Sequence, residues 1–186
     1  MQITKHTIIA PALSGIAEFI WHLTSDENIT GGKLLPVVNT DLIINLSPPI
    51  FYTSVAGERI QAPPIHIRNV KLQPQSIDQE AICNVWGVSL FSHGVYSLLG
   101  ENLSQYGERV VDLRQINPCI CDALFENLCG NAGESDTAEQ IEQAIGQHLE
   151  AFLPESDRKA IDHFLSEMLH CGIGEYCNLT RGAIKR

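Results

Sequence analysis

The residue types able to do chemistry in this chain are a few histidines, cysteines and a short basic run, and their spacing decides among the uses. His66, in the run Ile65-His66-Ile67-Arg68-Asn69, is half of a His-x-His pair of the kind that binds a metal on a strand, but position 68 is arginine. A three-ligand site therefore cannot be assembled locally, and the residue is expected to be an ordinary strand-surface histidine. Cys119-x-Cys121 with Cys129 offers thiols, yet zinc pairs usually sit about two to four residues apart and need a second pair nearby, which is absent. The six cysteines (Cys83, Cys119, Cys121, Cys129, Cys171 and Cys177) are expected to be free thiols, and no metal site is expected. Ser92-His93 sets a hydroxyl beside an imidazole, but sequence neighbours rarely align as nucleophile and base, and no orienting acid can be named. Ser92 is read instead as a helix N-cap. With no catalytic set and no cofactor motif, the chain is not expected to be an enzyme.

The basic run lies in the last sixteen residues, CGIGEYCNLTRGAIKR, whose types fall at the spacing of a helix-turn-helix. Ile173 and Cys177 would face a partner helix, with Gly174 small enough for a close crossing. Asn178 suits a turn that demands positive φ, Leu179 is the apolar turn residue, and Thr180 caps a second helix with Ile184 turned inward. Thr180, Arg181, Lys185 and Arg186 are the expected DNA-contacting residues, the basic ones mostly to phosphate. That second helix reads as cut off while still helical, so the chain is expected to be a fragment or to lack a downstream partner. About 60 to 80 further residues would complete a pair of such units.

The large aromatic residues of the first half, Trp21, Phe51, Tyr52, Trp86 and Phe91, either fill the core or line an apolar ligand pocket. Asn45 and Asn84, polar within strongly apolar runs, are the candidate polar groups of that pocket.

The elements that must position these residues change character along the chain. Thr40 to Leu46, Ile65 to Leu72 and Ala81 to Phe91 are rich in Ile, Val and Leu and are punctuated by Pro48-Pro49, Pro63-Pro64 and Pro74, which predicts strands. In the last of these runs Ile82, Asn84, Trp86, Val88 and Leu90 alternate with a smaller but still largely apolar set, so that strand is expected to be buried on both sides. From Ser92 the period becomes helical. Val95, Leu98 and Leu99 form a stripe ending at Gly100, a C′ glycine, and Asn117-Pro118 starts a second helix carrying Leu124, Phe125 and Leu128. Thr137 and Gln140 make a capping-box pattern ahead of Ile141, Ala144, Ile145, Leu149 and Phe152, and Pro154 ends that helix. Ile161, Phe164, Leu165, Met168 and Leu169 form a further amphipathic stripe.

Composition sets the outer bounds. Hydrophobic residues make up 44% and charged residues 18%, apolar enough to exclude disorder, and no apolar run reaches the roughly 18 residues of a membrane span. Twelve Lys and Arg against 22 Asp and Glu give a net charge of −10, which opposes unaided binding to phosphate backbones. The N-terminus has no secretory pattern, and the cytoplasm is the expected location.

Four marks in order resemble the AraC-type bacterial transcriptional regulators. Pro11, Leu13 and Ala17 to Trp21 (AEFIW) look like that family's V-E-x-x-W, and Leu35-Pro36 with Asp41 to Leu46 (DLIINL) is similar to L-P-x-x-x-x-D-L-I-F-N-L. Val88 to Gly100 (VSLFSHGVYSLLG) resembles V-R-F-R-P-G-G-x-x-x-L-L-G, and Leu179 to Arg186 is similar to L-S-x-R-x-L-x-R of the recognition helix. Ser92-His93-Gly94 departs from Arg-Pro-Gly, and Gly182 from the usual Arg. The resemblance implies an N-terminal domain that binds a small molecule or another subunit and biases DNA-reading helices. The expected class is α+β: an antiparallel β sandwich or small barrel with trailing helices over 1–130, then over 131–186 a helical linker and a truncated helix-turn-helix. The expected function is the sensory and oligomerisation part of an AraC-type regulator, a homodimer reaching DNA only through a complete C-terminal region, with a small-molecule effector and no membrane. The alternative is a stand-alone small-molecule-binding β domain with a helical oligomerisation tail. A cupin-like metal enzyme is a third reading, which the missing second histidine disfavours.

Overall fold

A computed structural model describes residues 1–34, 39–69, 73–100, 103–128 and 134–152. Among the described residues nine strands precede the first α-helix: β1 (Gln2–Thr7), β2 (Ala17–Ser25), β3 (Ile29–Leu34), β4 (Thr40–Asn45), β5 (Ile50–Thr53), β6 (Arg59–Gln61), β7 (Ile65–Arg68), β8 (Gln75–Gln79) and β9 (Cys83–Leu90). They are followed by α1 (Ser92–Leu99), β10 (Val110–Asp112), α2 (Leu113–Ile116), α3 (Pro118–Leu128) and α4 (Glu134–Phe152). The strands form a six-stranded sheet in the order β1-β2-β9-β4-β7-β10 and a four-stranded sheet in the order β3-β8-β5-β6. All pairings are antiparallel. The protein is thus α+β, and of the two expected β architectures it takes the sandwich; the sheets do not close into a barrel. Met1–Leu149 form one compact unit.

Strand β9 explains the layering. Its bulkier set, Trp86, Val88 and Leu90, pairs in register with Ile44, Leu42 and Thr40 of β4, and Leu42 and Ile44 pair in turn with Ile67 and Ile65 of β7. These side chains share one face, and all of them are buried. The smaller set, Cys83 and Val85, shares the opposite face with Ile43 and packs against Ile50, Tyr52 and Ile77 of the other sheet. The strand is therefore apolar on both faces because each meets a different layer. It begins two residues later than the apolar run because Ala81 takes φ 63°, a left-handed conformation that interrupts extended backbone.

The helices follow the apolar stripes closely. Gly100 closes α1 at φ 68° with its N–H donating to Tyr96 O, and Asn117 Oδ1 accepts from Ile120 N at 3.2 Å to cap α3. Ile141, Ala144, Ile145 and Leu149 are buried, as the stripe of α4 requires, while Phe125 of α3 is exposed. Two expected caps are corrected. Phe91, not Ser92, holds the cap position of α1 and makes no side-chain cap bond. The helix α4 starts at Glu134, a turn before the expected box, so Thr137 lies inside it. Residues 70–72 of the second expected strand run, the mark Leu35-Pro36 and the whole stretch from Leu153 onward lie outside the described residues.

The Glu142 carboxylate of α4 holds the loop after β1, accepting from Ile9 N at 3.2 and 3.0 Å and from Ala10 N at 2.5 Å. These donors satisfy a buried carboxylate that would otherwise be costly to keep from water.

Candidate functional site

Register across the six-stranded sheet lines up two rows of side chains on the face towards the other sheet. One row runs Phe19, Ser89, Asp41, Arg68, Val110 along β2, β9, β4, β7 and β10. The next runs Lys5, Trp21, Gly87, Ile43, His66, starting one strand earlier on β1. Polar and charged groups thus stand beside aromatic ones because the strands pair in this register. No short stretch of chain contains both sets.

Where these rows meet β1 and β2, a cavity of about 590 Å³ opens. Its apolar wall is Ile3, Phe19, Trp21, Leu23 and, from β3, Leu34; its polar side is Lys5, Asn39, Asp41, Arg68 and Ser89. An Arg68 Nη2 donor is bonded to Asp41 Oδ2, and the two side chains are only 13% and 8% exposed. Lys5 Nζ sits 4.0 Å from the centre of the Phe19 ring. Asn39 Nδ2 donates to Ser89 Oγ at 3.2 Å and to Glu18 Oε2 at 2.5 Å, fixing the rim.

Gly87 shapes the floor. A Cβ built there would stand 2.0 Å from Trp21 Cε2 and 2.6 Å from Nε1, so the indole lies directly over the glycine and one ring face is spent on the backbone. Only glycine leaves that space. Gly87→Ala is expected to push Trp21 out of its position at a cost of about 1–3 kcal/mol, the usual range for overpacking. A lower urea midpoint together with a red-shifted tryptophan emission would show it, whereas an unchanged spectrum would place the indole elsewhere.

A second cavity, of about 770 Å³, is lined mostly by polar residues, among them Glu58, Gln75, Glu108 and Arg109, with Tyr52 on its inner side. Small-molecule sites are mostly apolar with a few convergent polar groups, which favours the first cavity. Tyr52 also bridges the sheets. Its hydroxyl donates to His66 Nε2 at 3.1 Å, while His66 Nδ1 donates to Pro63 O at 2.7 Å. Burial pushes the Tyr52 phenol up to about 12 and His66 down to about 4. His66 is 0% exposed, which corrects the expected surface position. It is tied at both nitrogens, and among the described residues no group of three His, Cys, Asp or Glu side chains is placed to hold a metal.

The seven expected pocket residues scatter. Trp21 lines the first cavity and Tyr52 the second. Trp86 lies on the opposite face of the sheet, 2% exposed and stacked on His22 at 4.0 Å, with Asn84 Oδ1 bonded to His22 Nε2 at 2.9 Å. Phe51 carries the Arg59 guanidinium at 4.1 Å from its ring, Asn45 Nδ2 donates to Pro48 O at 2.9 Å, and Phe91 precedes α1. Sequence reasoning missed Lys5, Phe19, Asp41, Arg68 and Ser89. The signal present was Asp41 and Arg68, opposite charges in two strands rich in isoleucine. The expected DNA-contacting residues Thr180, Arg181, Lys185 and Arg186 lie outside the described residues. Cys83 and Cys121 are buried thiols raised above their usual range by that burial, and Cys119 is exposed. No helix among the described residues is long and apolar enough to cross a membrane.

No protein-family model and no curated protein sequence matches the chain. Among solved structures it is similar to a cupin superfamily protein from Desulfitobacterium hafniense, at 11% identity over 48% of this chain and 78% of that one, with a TM-score of 0.36. It is also similar to the AraC-like transcriptional activator CuxR, at 12% identity over 83% of this chain and 62% of that one, with a TM-score of 0.37. A variant of hydroxyethylphosphonate dioxygenase shares 13% identity over 82% of this chain and 47% of that one, with a TM-score of 0.31. These similarities assign neither a family nor a function.

Proposed function

We propose that this chain is the sensory part of an AraC-type transcriptional regulator, and that its β sandwich binds a small molecule in the groove between Trp21 and Arg68. The observation that carries the binding half is the groove itself: an apolar wall with adjoining charged groups, on rigid strands, held open by a glycine under the indole. The regulatory half rests on the resemblance of the sequence marks. In this reading the groove binds and does not catalyse, since the one acid lining it among the described residues, Asp41, is bonded to Arg68. The regulator works as a homodimer, the usual arrangement for proteins that read paired half-sites.

A cognate ligand at about 100 times its Kd is expected to stabilise the protein by about 2.7 kcal/mol, read as a rise in Tm across a metabolite panel. A flat response to a broad panel would count against the groove as a site. The regulatory half is tested by binding of this chain, and of any longer product of its gene, to the gene's own upstream DNA at two salt concentrations. Tight, salt-dependent binding by either supports the proposal. Ligand binding with no DNA binding by either supports the second reading, a stand-alone small-molecule-binding domain, which the net charge of −10 favours.

A further inference from the structure

We infer that the groove between Trp21 and Arg68 selects amphipathic organic anions: molecules with a flat apolar body and one negatively charged head. The inference rests on the groove being a binding site, and adds what that site would prefer.

Charge is the first argument. Two cations, Lys5 and Arg68, line the groove against one carboxylate, Asp41. Asp41 is already neutralised by Arg68. Glu18, at the rim, keeps its charge but is hydrogen-bonded by the Asn39 amide and does not line the groove. Lys5 pairs with no carboxylate among the described residues; its ammonium rests over the Phe19 ring instead. Among the described lining residues Lys5 is therefore the cation left without a paired carboxylate, in a chain whose net charge is −10. A cationic ligand would meet Lys5 and find Asp41 occupied, whereas an anionic head would complete the pairing.

Unmet hydrogen bonding points the same way. Arg68 Nε is buried without a hydrogen-bond partner among the described residues, so the guanidinium at the edge of the groove retains donor capacity that Asp41 does not use. A carboxylate, sulfonate or phosphate head supplies acceptors to a cation of this kind, and such charge-assisted bonds are the stronger class.

The apolar side fixes the body. Trp21 spends one ring face on Gly87 and borders the groove beside Phe19, Leu23 and Leu34. A planar ring stacks on such a surface at little entropic cost. The charged rim residue Lys5 pairs across the strands with Trp21, so head and body sites are adjacent and a compact molecule reaches both.

A matched pair of dyes tests this: 1-anilinonaphthalene-8-sulfonate and the neutral N-phenyl-1-naphthylamine, which share the same ring body and differ by the anionic head. Both are titrated into the full chain and into Lys5→Gln, which removes the charge at an exposed rim position and leaves the apolar wall and the core intact. The variant is expected to weaken the sulfonate dye by about five- to tenfold and to leave the neutral dye within about twofold. Salt raised from about 20 to about 500 mM should weaken only the sulfonate dye. Equal effects on both dyes, or none on either, would overturn the anion preference while leaving the groove as a binding site. If neither dye binds the unaltered chain, the groove reading itself falls, and this inference with it.

Discussion

Arg68→Met is expected to lower the unfolding free energy by about 3–5 kcal/mol, the range for removing one partner of a buried ion pair. Arg68 and Asp41 are 13% and 8% exposed and bonded to each other, so the substitution strands a carboxylate in a largely apolar layer. Much of the loss is the cost of that stranded charge and not the worth of the pair. Asp41→Leu in the same molecule should therefore restore most of the stability, because a well-packed apolar pair often matches or exceeds a buried ionic one. Urea unfolding of the two single variants and the double variant closes the cycle. A loss of less than about 1 kcal/mol for Arg68→Met would mean that the pair behaves like an exposed surface bridge. If the double variant is stable but no longer distinguishes anionic from neutral dyes, the pair is retained for recognition and not for folding.

The fold was legible where the signal is local. The stripe Ile141, Ala144, Ile145, Leu149 repeats within one helix, and Gly100 and Asn117-Pro118 mark helix ends by their own backbone preferences, so each appears at its expected place. Register is a different matter. Ser89, Asp41 and Arg68 come from three strands, and nothing local to any of them says that they stand side by side. The aromatic residues show the same limit. Trp21 and Trp86 are both large residues in apolar strands, yet they lie on opposite faces of one sheet, because Trp21 pairs with Gly87 and Trp86 with His22. A shift of one residue would exchange them. The glycine was the available clue: a glycine inside an apolar strand marks close approach by something else, here the indole that floors the groove. His66 was misplaced for a related reason. Its own strand reads as one that could show a histidine to water, and the tyrosine that seals it comes from the other sheet.

Acidification from pH 7 to about 4 should destabilise the sandwich by about 3 kcal/mol through His66 alone. The sign follows from the two states. The unfolded imidazole has its ordinary value of 6.5, while burial between the sheets lowers the folded one to about 4, with the bond to Pro63 O partly offsetting that and Arg68 adding to it. Above 6.5 both states are neutral and the group contributes no pH dependence. Between 6.5 and about 4 the unfolded chain takes up a proton that the folded chain refuses, so stability falls by about 1.4 kcal/mol per pH unit across that window. Tyr52 sets the opposite boundary. Burial raises its phenol to about 12 from 10.0, so above pH 10 the unfolded chain loses a proton that the folded chain keeps, and stability falls again. The bonded pair thus favours the native state most between these limits, as the neutral imidazole accepts and the intact phenol donates. Urea midpoints measured from pH 4 to 7 for the unaltered chain and for His66→Gln test the acid side. The variant should lose most of the slope, because its amide takes no proton over that range. An equally steep fall in the variant would move the acid sensitivity to other groups and leave the sheet-bridging bond without a role in it.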